Sequence, residues 1–237
     1  MSLPEIGVWE LSLTLIPVLF VGMIFWQWKL PLKDLIVATL RMVVQLLLIG
    51  FLLVYLFKQD DWWLGLVLMG FMLIISGWIA MRPLLNKTRQ HFTQLSISLL
   101  LGCGFILILI LVAVLKLEPW YQPRYVIPLA GMLLANTMNG LSLAGERFQS
   151  ELEQKKTLLD ARNAAFNTAM IPQINSLLAV GLVALPGMMT GQILSGVSPL
   201  IAVRYQIIIM AAILCSAAFS VAVYLVMRVK EMVATNR

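Results

Sequence analysis

The 237-residue chain is 61% apolar and only 12% charged, with a mean hydropathy of +0.93, whereas soluble domains run at about 45–50% apolar and about 25% charged. This composition excludes a soluble enzyme and a disordered chain, and the two cysteines exclude a disulfide scaffold. The net charge of +6 does not point to nucleic acid, because the basic residues fall in short loops between apolar runs, where membrane insertion places them.

Charge-free apolar runs predict membrane-spanning helices over 8–28, 35–57, 62–81, 95–115, 125–144, 170–194 and 201–227. The expectation is an all-α polytopic membrane protein of about seven helices in one transmembrane domain, 1–237, with a polar segment at about 145–169. At roughly 20 residues per span, fewer than about 100 remain for every loop, too few for a folded nucleotide-binding or catalytic domain. Sorting basic residues by loop gives twelve on one side (Lys29, Lys33, Arg82, Lys87, Arg89, Arg147, Lys155, Lys156, Arg162, Arg228, Lys230, Arg237) and three on the other (Lys58, Lys116, Arg124). That asymmetry predicts an external N-terminus and a cytoplasmic C-terminus, with Trp62, Trp63, Trp120, Tyr121 and Tyr125 at the outer boundary. The N-terminus lacks the basic start of a signal peptide, so the first apolar run is expected to stay in the mature protein.

Polar side chains within apolar runs must be offset by a partner or by water, and they carry the functional signal. Glu10 in the first span and Arg204 in the last lie at similar expected depth and form either an ion pair or two independent interfacial charges. Arg41 and Gln45 share a helix face, as interhelical glue or as part of a transport pathway. His91, the only histidine, is expected in a solvated loop, and the sequon-like Asn86-Lys87-Thr88 is read as chance. Cys103 and Cys215 are read as small hydrophobes, and Met132, Met138, Met188 and Met189 as apolar filler rather than soft ligands. Asn136, Asn139 and Ser142 form one stripe of the fifth span, for packing or for passage.

Over 145–169 the chain turns polar, and Phe148, Leu152, Leu159 and Phe166 recur at helical spacing, with Glu151 and Lys155 set as an i,i+4 pair. This amphipathic segment is read either as an interfacial helix or extension of the fifth span, or as a docking element for a cytoplasmic partner. Further on, Gly187, Gly191 and Ser195 repeat every four residues behind Pro186, with Thr190 and Gln192 beside them. The pattern fits a helix-packing face with a kink, or broken backbone lining a cavity near Gly181 to Gly187.

No phosphate-binding GxxxxGK[ST] motif is present, and no His/Cys cluster has metal-ligand spacing. No cofactor is expected in this chain, the metal ligands stay unknown, and nothing marks it as an enzyme.

The run Val180-Gly181-Leu182-Val183-Ala184-Leu185-Pro186-Gly187-Met188-Met189-Thr190-Gly191-Gln192-Ile193-Leu194 closely resembles the signature of the FetB-like ABC-transporter permeases. The likeness continues through Ser198-Pro199 and Arg204-Tyr205-Gln206-Ile207. Arg41 to Gly50, Pro128 to Arg147 and Ile171-Pro172-x2-Asn175 extend it over most of the chain from the second helix onward. The family includes a bacterial iron-export permease and plant membrane proteins of aluminium tolerance. The resemblance implies a homodimeric permease of the bacterial inner membrane, exporting iron or another metal, powered by a separate ATP-binding subunit that brings ATP and magnesium. It departs from the family after the acidic helix, where the cytoplasmic stretch between Leu158 and Pro172 looks shortened. Glu146, Glu151, Leu152, Leu159 and Arg162 are then the expected partner contacts. Glu10, Arg41, Gln45, Asn136, Asn139, Thr190, Gln192 and Arg204 are the expected pathway residues, and Pro186, Gly187, Gly191 and Ser195 the packing face. A stand-alone carrier or channel and a non-transporting membrane scaffold are the alternatives.

Overall fold

The computed structural model describes residues 6–56, 62–119 and 121–235. Lys58, Trp120 and Arg237 lie outside the described residues. Among those described, the protein is all-helical, and six helical segments are long and apolar enough to cross a membrane.

The chain divides into two compact units, Met1–Gln59 and Asp60–Arg237. The first holds α1 (Val8–Leu13), α2 (Leu15–Gln27) and α3 (Leu32–Leu56). Thr14 separates α1 from α2, and Lys29, with φ at 55°, turns the chain from α2 into α3. Arg41 and Gln45 both lie on α3, half-buried and exposed respectively, and Glu10 is exposed in the first turn of α1.

The second unit is built from α4 (Trp62–Ala80), α5 (Arg89–Leu109), α6 (Pro123–Glu153), α7 (Leu158–Ala179), α8 (Gly187–Leu194) and α9 (Pro199–Thr235). α5 loosens into a π-helical turn at Ile110–Val114. α6 is the central helix, packed against α4, α5, α7 and α9, while α9 also touches α5, α7 and α8. The core follows this arrangement: Leu95, Leu99, Leu133, Leu141, Phe148, Val221, Tyr224 and Leu225 are buried where α5, α6 and α9 meet.

α5 begins six residues before the predicted start at 95. Thr88 is the reason: its hydroxyl caps the helix by accepting from the His91 amide at 3.2 Å. His91 is therefore not a solvated loop residue. It is 6% exposed in the first turn of α5, with its ring Nδ1 bonded to the Asn86 carbonyl. Tyr121 is buried as well, its ring lying over Gly65 where no side chain interposes.

The amphipathic segment is two helices, not one. α6 runs on to Glu153, the chain reverses through Lys155 at φ 60°, and α7 starts at Leu158. α7 is a single helix through the stretch read as shortened, so the run predicted over 170–194 begins twelve residues earlier, stops at Ala179 and resumes only at Gly187. Thr157 secures the start of α7, accepting from the Asp160 amide at 3.2 Å and donating to the Asp160 carboxylate at 2.7 Å. Thr157→Ala is expected to cost about 1 kcal/mol of α7 stability. Faster limited proteolysis at the α6–α7 turn, with the rest of the bundle unchanged, is the measurement that checks it.

Candidate substrate pathway and partner surface

Three features of the second unit bear on function: a charged hairpin end, a hydroxyl-lined seam, and a helix broken inside the apolar zone.

The hairpin end comes from the length of α6. Its apolar stretch ends near Ala144, and the nine residues to Glu153 carry the helix about 14 Å further at 1.5 Å per residue. Glu151 is fully buried there and forms ion pairs with Arg147, one turn back, and with Lys156 beyond the turn. The carboxylate lies under those two half-exposed cations rather than deep in the bundle. The expected Glu151–Lys155 pair does not form, because the helix has ended and the positive φ of Lys155 turns it away, which brings Lys156 round instead. Glu146 and Leu159 are exposed on this end, Leu152 is half-buried against the core, and Arg162 donates to the Asn163 side chain at 3.0 Å and 3.2 Å. Nearby, Glu231 joins α9 to α5 by accepting from Gln94 at 3.0 Å, and it is paired with Arg228 on its own helix. The cavity between Leu84, His91, Phe148 and Tyr224 is only about 40 Å³. That is room for a few waters only.

The seam runs between α5, α6 and α9. Thr137 donates to Ser216 at 3.2 Å, Ser98 to the Gln94 carbonyl at 2.8 Å, and the Cys103 thiol faces the hydroxyls of Thr137, Ser216 and Ser220. Gly102 makes the close approach possible, since a Cβ there would lie 2.9 Å from the Ser220 amide and 3.0 Å from the Ser216 carbonyl. The sequence reading took Cys103 for a small hydrophobe and missed Ser98, Thr137, Ser216 and Ser220, as each is an ordinary small packing side chain and only the fold assembles them. The asparagine stripe of α6 divides instead. Asn136 bonds back to the Met132 carbonyl at 2.9 Å, Ser142 donates to the Ala80 carbonyl at 3.2 Å, and Asn139 is exposed.

The broken helix is the third feature. α7 packs antiparallel on α6, so residues equidistant from the turn lie at one depth. Asn167 is then level with Ala144, at the edge of the apolar zone, and α7 continues from there for about 18 Å before it stops at Ala179. The seven residues 180–186 form an irregular turn in which Gly181 has φ at 82° and Leu182 and Val183 are 90% and 85% exposed. The eight residues of α8 are about 12 Å long and pack on α9. Of the two readings of Pro186, kink or discontinuity, the structure has the discontinuity, with Pro186 as the cap of α8. Thr190 donates back to the Pro186 carbonyl at 3.1 Å, and the Gln192 Oε1 is buried with no hydrogen bond among the described residues. Among the described residues, nothing lies within 4 Å of where a Cβ would stand at Gly187 or Gly191, and Ser195 is exposed. Arg204 is exposed near the start of α9. A groove of about 500 Å³ opens between α7 and α9, lined by Arg162, Asn163, Phe166, Asn167, Leu225 and others.

A family model described as an uncharacterised protein family, UPF0014, matches residues 8–233. The chain is 35% identical over 209 residues to the UPF0014 membrane protein slr1647 of Synechocystis, an alignment covering 82% of this chain and 81% of that one. It is 33% identical over 237 residues to the "Probable iron export permease protein FetB" of Escherichia coli, covering 92% and 90%. To the protein ALUMINUM SENSITIVE 3 of Arabidopsis thaliana it is 28% identical, covering 86% and 79%. No solved structure matches.

Proposed function

The chain belongs to the UPF0014 family of integral membrane proteins, and on that premise we propose that it is the permease subunit of an ABC-type exporter. It carries a metal, with iron as the foremost cargo, across the bacterial inner membrane. Two copies form the pathway, and a separate ATP-binding subunit, loaded with ATP and magnesium, drives it.

The observation that carries this reading is the α6–α7 hairpin. A charged knob that stands about 14 Å clear of the apolar zone, stiffened by the Arg147–Glu151–Lys156 cluster, is a lever that a partner outside the bilayer can push. α7 transmits such a push directly to the break at 180–186, since it is one uninterrupted helix from the knob to that break. A partner that binds the hairpin more tightly in one state than in the other shifts the bundle between them. Glu146, Leu152, Leu159 and Arg162 supply the contacts, and Glu151 holds the cations in place. With the hairpin cytoplasmic, as the positive-inside bias places it, the N-terminus is external. Asn136, Asn139, Thr190 and Gln192 border the pathway in the second unit. Glu10, Arg41, Gln45 and Arg204 keep their proposed roles along it.

The test is purification in mild detergent together with candidate ATP-binding-cassette subunits. A copurifying subunit whose ATPase rate rises on binding, and metal efflux from proteoliposomes that requires both chains, are the expected results. Full-rate efflux with this chain alone, or no nucleotide-dependent partner at all, overturns the reading.

A further inference from the structure

We propose that α7 carries an oxygen-donor station for a hard divalent cation. Its donors are the Asn175 amide and the backbone carbonyls that Pro172 and the break at 180–186 leave without donors. The inference rests on the transport reading above and names a place where the cargo is held.

The argument starts from depth. Asn175 lies eight residues beyond Asn167, hence about 12 Å inside the apolar zone and near the middle of a core of about 30 Å. Its side chain is exposed and makes no hydrogen bond among the described residues. Lipid tails offer an amide nothing, so a carboxamide at this depth faces water, a ligand or another chain.

The backbone repeats the signal. Pro172 sits inside α7 and has no N–H to give the Thr168 carbonyl. At the upper end, the amides of 182–184 converge on the Ala179 carbonyl and that of Gly181 bonds to Ala184, so the carbonyls of Leu177 and Leu178 accept no backbone hydrogen bond. Thr168, Pro172 and Asn175 share one face of the helix by their spacing. The result is a short series of oxygen acceptors from the edge of the apolar zone to its middle, with no basic residue in the last turn of α7 to oppose a cation. The negative end of the helix dipole lies at the same place.

The donor chemistry selects the ligand class. Amide and carbonyl oxygens suit hard cations and disfavour soft ones. No group of three or more His, Cys, Asp or Glu is gathered anywhere among the described residues, so nothing competes as a tight cage. A site of neutral oxygens binds weakly, as passage requires: firm enough to replace part of the hydration shell, loose enough to let go.

Leu178→Cys in membrane vesicles, probed with a charged, membrane-impermeant thiol reagent, tests the idea without relying on transport: the position is 70% exposed one turn beyond Asn175, and the substitution keeps the Asn175 amide and the backbone carbonyls. Ile108→Cys, on the 64% exposed apolar face of α5, is the lipid-facing control, and the parent chain measures labelling of the native cysteines. Labelling of Leu178→Cys at least about tenfold faster than the control, and slowed at least about threefold by millimolar Mn²⁺ but not by a monovalent salt of equal ionic strength, is expected beside a wet, cation-occupied site. Labelling no faster than at 108, or indifferent to Mn²⁺, overturns the proposal. Pro172→Ala guards against a merely structural explanation. It restores the donor to Thr168, so it is expected to raise thermal stability while lowering metal efflux driven by the intact complex, whereas unchanged efflux counts against the station. A parent complex that hydrolyses ATP and exports metal while Pro172→Ala matches it refutes this inference alone. A parent chain with neither partner nor efflux refutes the function itself.

Discussion

Gly102→Ala is expected to force α5 away from α9 and to cost about 3 kcal/mol, the upper part of the range for overpacking a closed core. The added methyl would lie 2.0 Å from the Ser220 hydroxyl, 2.9 Å from the Ser220 amide and 3.0 Å from the Ser216 carbonyl. A hydroxyl can rotate aside, but a backbone amide and a carbonyl cannot, so the two helices must separate. The Cys103, Thr137, Ser216 and Ser220 contacts lie in the same seam and loosen with them. Gly104→Ala is the control. Its methyl would meet only a Leu100 methyl at 4.0 Å, so it should gain roughly 0.5–1 kcal/mol from helix propensity. Thermal unfolding in mild detergent reads both, and equal effects at the two glycines would show that the seam does not set the helix spacing.

The second large effect is expected at Glu151. Glu151→Gln leaves Arg147 and Lys156 facing each other with no anion between them, and an uncompensated charge cluster opens the turn. The expected result is loss of partner-stimulated ATPase by about tenfold, inside the range usual for coupling between sites. Some loss of thermal stability is expected alongside it, because Glu151 is fully buried and Phe148, three residues back, belongs to the core. Replacing Arg147, Glu151 and Lys156 together by glutamine removes the repulsion and should recover part of the coupling. Wild-type stimulation in Glu151→Gln would mean that the partner does not act through this hairpin.

What the sequence made legible was set by hydropathy. Six of the seven predicted spans fall on helices of the structure because unbroken apolar runs of membrane length have no other way to satisfy their backbone. α7 was misdrawn for the same reason. Asn163, Asn167, Gln173 and Asn175 dilute its apolar character, so reading by hydropathy divided one helix between a polar segment and the next span. The early start of α5 needed the Thr88 cap to be recognised, and the local hydrogen bond outweighed the polarity of His91 and Gln94. The site was less legible than the fold. Glu151 stood out by its charge, but its partners depend on where α6 ends, which is a matter of one positive φ at Lys155. Ser98, Thr137, Ser216 and Ser220 gave no sign at all, since a buried hydroxyl in a span is unremarkable until three helices bring several together.

The bond between Gln94 and Glu231 joins residues 137 positions apart. At translation speeds of about 5–20 residues per second, the early helix that carries Gln94 waits about 7 to 27 seconds for its mate to be synthesised. During that interval the amide has only water or a neighbouring helix for a partner. The α5–α9 contact is therefore expected to close late, after the helices between them have been made, and α6 must settle against α5 before α9 can clasp it.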